Sequence, residues 1–439
     1  MHSIELLESR IAPASLTGRV LSYTDLDGDK VTISFSKGTL SSANFTFDNA
    51  FGGTGTQQLQ RIDVSGVTDI EGSNISVKVV RGEGGDGVAH IGEIIATGRD
   101  LGVVKTKGDL GKIVAGNDTL PAPAIKSLTI GSYGMLDGTT QPAGSNQSSP
   151  ISGDLPKLTI LGDVSGGAIN VNGDVTNLKV GGSIIGGPFA SDGRILAINV
   201  AKLTVGGSII GGGPDSQSGS LFLTGNVGTL RIAGSIIGGT PASDPVGAQV
   251  RVVGSVGKFI VGHDIRGVSG AGSQDAIEVG RTVGSFTVGG NITAPAGKET
   301  AVYLANMVNV PGTAVGSITV AGSVQNAVIG VGADLNRPVT LDRITIGGSL
   351  INSRIVVGAS FGSDMITGTG DDVINAASQL NSIVIKGTVF GTIGGTDSFF
   401  IEAGRIGSAT LSGRSVPVGN GGNLIAVSFS SDVFLKDVV

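Results

Sequence analysis

The chain of 439 residues contains no cysteine and no tryptophan, and only three tyrosines, three histidines and 14 prolines. Without cysteine there is neither a disulfide framework nor a thiolate metal site, an absence as compatible with a surface protein held by β-ladders as with a cytosolic one. Tyrosine is confined to Tyr23, Tyr133 and Tyr303, so the aromatic platforms on which sugar sites usually rest are scarce. No apolar run approaches the ~18 residues of a membrane-spanning helix, and the positive mean hydropathy of +0.30 therefore points to a dry aliphatic core. The formal charge of −6, with no cluster of Lys or Arg, argues against nucleic acid, whose binding rests on phosphate neutralisation. Glycine is abundant at 76 residues but shows no three-residue period, which excludes collagen.

What the sequence does have is a phrase that returns ten times: an apolar residue, a spacer, an aliphatic, a spacer, then glycine, a small polar residue and another aliphatic. The first position holds Leu158, Leu178, Leu203, Leu230, Phe259, Phe286, Ile318, Ile344, Ile383 and, degenerately, Ala409. Nine copies carry the glycine and one carries His263 instead. Alternation with a period of two places the apolar residues on one face of a strand. A second phrase, as in Leu221-Phe-Leu223-Thr-Gly225 and Val250-Arg-Val252-Val-Gly254, supplies another strand per unit. Glycine at a corner tolerates positive φ and lets neighbouring coils approach. The polar residue after it (Asp163, Ser183, Ser208, Ser235, Asp264, Asn291, Ser323, Ser349 or Thr388) suits a turn by bonding the local backbone.

The copies recur mostly at 25 to 32 residues, a solenoid's mark. Helical repeats would need a 3.6-residue period, leucine-rich repeats a consensus Asn or Cys, and strict hexapeptide helices an invariant interval, whereas here it ranges from 20 to 39. The expectation is an all-β protein: a parallel β-helix (β-solenoid) of about 12 coils over residues 99–417, each adding about 4.8 Å. A β-rich cap is expected over 15–98, where alternating runs read as hairpins, and final strands over 418–439.

Residues 1–14 lack the apolar core of a secretory signal. Their words Leu7-Glu8-Ser9-Arg10-Ile11-Ala12-Pro13-Ala14 resemble the LEPR/LESRIAPA opening of large repeat proteins of Verrucomicrobia and Planctomycetes. Thr24-Asp25-Leu26-Asp27-Gly28-Asp29, the Gly-Ser-Ile-Ile-Gly-Gly copies and the closing Ser431 to Val438 are similar to that group as well. The resemblance implies a surface-exposed or secreted β-solenoid, in a group whose members mostly have no assigned activity. The localisation expected from it is extracellular or cell surface.

Two places suggest calcium, the one cofactor in view. Asp25, Asp27 and Asp29 alternate about Gly28, a spacing that can wrap oxygen ligands around the ion, yet the full twelve-residue loop with its terminal Glu is missing. A tight Asp-Gly hairpin turn explains the same residues. Further on, residues 362–375 resemble the calcium β-roll of repeats-in-toxin proteins, with Asp364, Asp371 and Asp372 in the ligand positions. This segment lies in the longest interval, so an ordered insertion is the competing reading. His2, His90 and His263 share no metal-binding spacing, and no helix follows the Gly-Gly-Ser copies to make a phosphate site.

Regularity favours a non-enzymatic structural or adhesive protein, with itself as a partner through end-to-end assembly of solenoid ends into a homopolymer. The alternative is a polysaccharide-binding or polysaccharide-degrading β-helix, by analogy of fold alone. Surface polysaccharide is then the partner. No catalytic residues stand out.

Overall fold

A strand with one apolar face is stable only when that face is covered, and in the structure like strands stack on like, coil upon coil. The computed structural model describes residues 13–53, 55–117, 123–189, 191–212, 218–239, 250–267, 274–305, 313–332, 338–360, 373–392, 399–419, 424–427 and 432–437. The chain forms two compact units, Met1–Asn177 and Leu178–Val439. It is all-β, and its long parallel stacks are those of a parallel β-helix.

In the second unit each coil contributes three kinds of strand. The first sheet stacks Val200–Val205, Val227–Ile232, Val256–Val261, Val283–Val288, Thr313–Val320, Thr340–Ile346 and Gln379–Ile385 in parallel. Its register places Leu203, Leu230, Phe259, Phe286, Ile318, Ile344, Ile383 and Ala409 in one column, with Val205, Ile232, Val261, Val288, Val320, Ile346, Ile385 and Leu411 beside it. Every one of these residues is buried. Each such aliphatic side chain contributes about 1.5–3 kcal/mol by leaving water. Phe259 and Phe286 meet edge to face with centroids 5.2 Å apart, so two large residues fit one column without leaving a gap.

The repeated phrase left a third inward column unread. Val200, Val227, Val256, Val283, Val315, Leu341 and Leu380 are in register and buried. They precede the leucine position by three residues, because two outward residues such as Ala201 and Lys202 intervene where strict alternation allows one. A search at period two passes over them.

The second sheet has eight two-residue strands, Ile184–Ile185 through Val389–Phe390. The third stacks Arg194–Ala197, Ser220–Leu223, Val250–Val252, Gln274–Val279, Thr300–Leu304, Ala327–Val331, Arg354–Val357, Phe399–Ala403 and Val433–Asp437. Two of its strands, Thr300–Leu304 and Ala327–Val331, are buried on both faces. Outside them Ala301, Tyr303, Val328 and Val356 form a small cluster on which Ile374 packs. That residue belongs to a short hairpin, Ala359–Ser360 with Val373–Ile374, that springs from the coil.

Between the first two sheets lies the corner that the glycine and the small polar residue form. The phrase glycines there do not use positive φ: of them, only Gly413 adopts it. Close approach is the reason for glycine instead. A Cβ on Gly207, Gly234, Gly290, Gly322 or Gly348 would run into the side-chain oxygen of Ser183, Ser208, Asp264, Asn291 or Ser323 in the coil before. Those oxygens are placed there because they accept the backbone N–H of the polar residue one coil on, and not of a local turn. Ser208 N donates to Ser183 Oγ (3.1 Å), Ser235 N to Ser208 Oγ (3.0 Å) and Asp264 N to Ser235 Oγ (3.2 Å). Asn291 N donates to Asp264 Oδ1 and Ser323 N to Asn291 Oδ1, both at 2.8 Å. Ser349 N to Ser323 Oγ (3.0 Å) and Thr388 N to Ser349 Oγ (3.1 Å) complete the ladder. Its longest rung is at Asp264, beside His263, where a Cβ must fit. The exposed His263 keeps the backbone bonds of its glycine counterparts, donating to Gly234 O and accepting from Gly290 N. A similar set runs along the corner between the third sheet and the first: Asn226 N donates to Asn199 Oδ1 and Ser255 N to Asn226 Oδ1.

The second unit finishes in antiparallel pairs: Ala409–Leu411 with Arg414–Val416, and Leu424–Ala426 with Val433–Asp437. The first unit begins in the same manner. Ser15–Thr17, Val20–Thr24, Lys30–Phe35 and Ser73–Val80 pair antiparallel in that order, and Phe45–Phe47 pairs antiparallel with Leu59–Asp63. The parallel coils start within residues expected to form a separate cap, since Ser73–Val80 already lies parallel to Leu101–Lys105 and Leu59–Asp63 parallel to Ile91–Thr97. Aromatics concentrate here: Tyr23, Phe35, Phe45, Phe47 and Phe51 contact one another with centroids 5.2 to 6.4 Å apart. Large rings fill the space above the first coil that stacked aliphatics fill elsewhere. Deeper in this unit, the buried Tyr133 hydroxyl bonds Ser149 Oγ (2.7 Å), Gln147 O and Ala168 O.

Gly290→Ala should cost about 1–3 kcal/mol, the usual penalty of overpacking, and cost less in an Asp264→Gly background, where the obstructing carboxylate is gone. Urea unfolding midpoints of the four proteins check this; equal costs in the two backgrounds would contradict the close-approach account. Leu203→Asp should melt several coils, because the buried carboxylate has no partner, visible as lost β-signal in circular dichroism.

Candidate functional site

Among the described residues, three carboxylates converge in the first unit, at the turn joining Val20–Thr24 to Lys30–Phe35. The strands are in register to Thr24 opposite Lys30, so residues 25 to 29 must reverse the chain. Asp25 N donates to Asp29 O (3.0 Å) and Gly28 N to Asp25 O (3.1 Å). Gly28 sits at φ +97°, a region costly for any other residue. Asp29 N also donates to Asp25 Oδ1 at 2.7 Å. The hairpin turn expected from the Asp-Gly pair is present.

The sequence did not reveal the second half of the site. The loop Gly82-Glu83-Gly84-Gly85-Asp86-Gly87, some fifty residues downstream, closes over the turn. Gly82 N and Gly87 N donate to the two oxygens of Asp29, at 2.7 and 2.6 Å, and Asp86 N donates to Asp27 Oδ2 at 2.9 Å. Cβ atoms on Gly82 and Gly85 would overlap the Gly28 carbonyl and the Asp29 carboxylate, respectively. The glycine run is thus the complement of the Asp turn, and its signal was composition: four glycines in six residues.

Asp25, Asp27 and Asp29 each bring one oxygen within 4.8 Å of the others. Asp29 is fully buried, Asp25 is buried and Asp27 is exposed. Burial pushes the Asp25 carboxyl up to about 7, helped by its hydrogen bond to Asp27 and by the charges of Asp27 and Asp29. The hydrogen bond from Asp25, together with the backbone N–H of Asp86, holds Asp27 below the usual carboxylate range. Asp25 therefore carries the proton and Asp27 accepts it. A hard cation such as calcium would replace that proton, taking one oxygen from each of the three; carbonyls and water would have to complete the six to eight ligands it prefers.

The other expected ligands, Asp364, Asp371 and Asp372, lie outside the described residues. Only the base of their segment is defined, by the hairpin at Val373–Ile374 and by Asn375 N donating to Gly358 O. His90 accepts Asp109 N through Nδ1 at 3.0 Å and so serves the backbone.

A cluster that the sequence did not suggest lies on the outer face of the third sheet in the second unit. Phe222 carries a guanidinium from the coil before and one from the coil after: Arg194 at 5.5 Å and Arg251 at 5.6 Å from its centroid. Arg251 is paired with Glu278 at 3.0 Å. A related contact occurs at the buried Phe399, where Arg354 lies 5.7 Å from the ring centroid and pairs with Glu299 at 2.8 Å. Register alone brings these residues together, since Phe222 stands opposite Arg251 and Arg251 opposite Glu278. Their separation along the chain gives no sign of it.

No protein-family model, curated protein or solved structure matches this chain.

Between about pH 4 and pH 7 the folded chain holds a proton on Asp25 that an unfolded aspartate has released, so this group's contribution to stability falls as the pH rises through that window. With chelator present, Asp25→Asn should lose less melting temperature than the parent between these limits. Identical slopes in scanning calorimetry would contradict the shared proton.

Proposed function

We propose that this protein is a non-enzymatic structural or adhesive β-solenoid of the cell surface. The observation that carries the reading is the corner ladder, in which seven consecutive polar side chains, from Ser183 to Ser349, accept coil-to-coil hydrogen bonds. The most regular polar positions of the repeat are thereby committed to rigidity. The resemblance of the Leu7 to Ala14 words to surface repeat proteins agrees with it.

End-to-end polymerisation draws less support from the geometry than from the repeat alone. Among the described residues, the stacks start and finish with antiparallel edge strands of three residues, Ser15–Thr17, Phe45–Phe47, Arg414–Val416 and Leu424–Ala426. Short edges of this kind are a usual defence against strand addition. The protein is then a scaffold that works through its flanks. Calcium at Asp25, Asp27 and Asp29 belongs to the same proposal, as a clamp between the first hairpin and the glycine loop.

Immunogold labelling of source cells should place the protein at the surface, and incubation with polysaccharides should release neither reducing ends nor unsaturated products; measurable turnover would overturn the reading. Calcium above pH 7 should raise the melting temperature of the intact chain by several degrees and leave that of Asp27→Asn unchanged. Calorimetry showing no heat on calcium addition would remove the clamp.

A further inference from the structure

On the outer face of the third sheet, this protein pairs the guanidiniums that it lays over rings. Arg251 has Glu278, and Arg354 has Glu299. Arg194 departs from the pattern. Among the described residues it makes no ion pair, and its polar contact there is to Ser191 Oγ at 3.5 Å; its Nε is buried without a hydrogen-bond partner. Burial without a compensating charge holds its pKa below the ordinary guanidinium value. Arg251, on the other side of Phe222, is already neutralised by Glu278, so the pull on an anion from outside the chain comes from Arg194.

The turn before Arg194 is held in place by its own hydrogen bonds. Phe189 N donates to Asp192 Oδ2 at 2.9 Å and Asp192 N to Phe189 O at 3.2 Å. This turn leaves Phe189 71 % exposed, the largest exposure among the big apolar side chains described. Ser191, at φ +68°, reaches Arg194 from the same turn. An unpaired guanidinium fork next to a fixed, solvent-facing ring matches a ligand with a planar carboxylate and an apolar C–H face. A uronic acid sugar has both, whereas free phosphate or sulfate has only the charge.

We propose that Arg194, with Phe222, Arg251 and the exposed Phe189, forms a flank site for the carboxylate-bearing sugars of an acidic polysaccharide. Arg194 supplies the bidentate contact, Phe222 and Arg251 hold its plane, and Phe189 covers the sugar face. The site rests on the adhesive reading for the source of its ligand and gives that reading a chemical target. It also answers the scarcity of Trp and Tyr, because phenylalanines provide the rings.

The test is binding of polygalacturonate to the full chain by biolayer interferometry, with neutral dextran and dextran sulfate alongside. Saturable, salt-sensitive binding to polygalacturonate is expected, with none to dextran. Arg194→Ala should weaken it at least about tenfold and Arg194→Lys to an intermediate degree, because lysine keeps the charge and loses the fork; Arg231→Ala, an exposed control on the first sheet, should bind as the parent does. Melting temperatures identify any variant that fails to fold, and Arg194→Lys carries the test if the alanine variant does. No binding by the intact chain, or variants that bind within twofold of it, would overturn the site while leaving a non-enzymatic surface protein intact. Equal, Arg194-dependent binding of dextran sulfate would overturn the sugar-carboxylate assignment. Cleavage of the polymer during the assay would instead overturn the function proposed above.

Discussion

Coils stacked at the spacing of β-strands, about 4.8 Å, leave almost no space at a corner, and the rest of this structure depends on how that space is filled. Here one side-chain oxygen from each coil occupies it and accepts the amide of the next. The oxygen and the missing Cβ of the glycine above it are two halves of one fit, so the Gly-Ser, Gly-Asp and Gly-Asn pairs recur as pairs. Each rung, part-buried or exposed, gives an N–H at the bend a protein partner, a bond worth about 0.5–1.5 kcal/mol net.

The Asp turn in the first unit uses a related device at larger scale. Carboxylates of the hairpin accept amides from a glycine run distant in sequence, and glycine is again required because side chains would occupy the same volume as the acceptors. Polar side chains reaching across to another segment's backbone, with glycine clearing the way, are thus the common means by which this chain fixes loops. The difference lies in charge. The corner ladder is mostly neutral, while the turn concentrates three acids and therefore responds to protons and to cations.

The solenoid was legible because its apolar residues repeat with a period that only a strand can use, and the register of Leu203, Leu230 and Phe259 follows from the phrase itself. The Val200 column was not legible, since a two-residue outward step breaks the alternation. The polar corner residues were seen, but their partners were assigned to the local turn; a single coil's sequence does not show that its neighbour offers the nearer amide. For the Asp triad the turn could be read, and the glycine loop over it could not, because contact between residues 29 and 82 depends on the whole cap. The arginine and phenylalanine cluster is the extreme case: Arg194, Phe222 and Arg251 meet only once the coil lengths are known.

The corner ladder also has a direction. In every rung the earlier coil supplies the oxygen and the later coil supplies the N–H. A chain that emerges from its N-terminus onward therefore meets, at each corner, an acceptor already set in place by the segment before it, and never has to wait for one. Order in such a stack is inherited, each coil serving as the template for its successor.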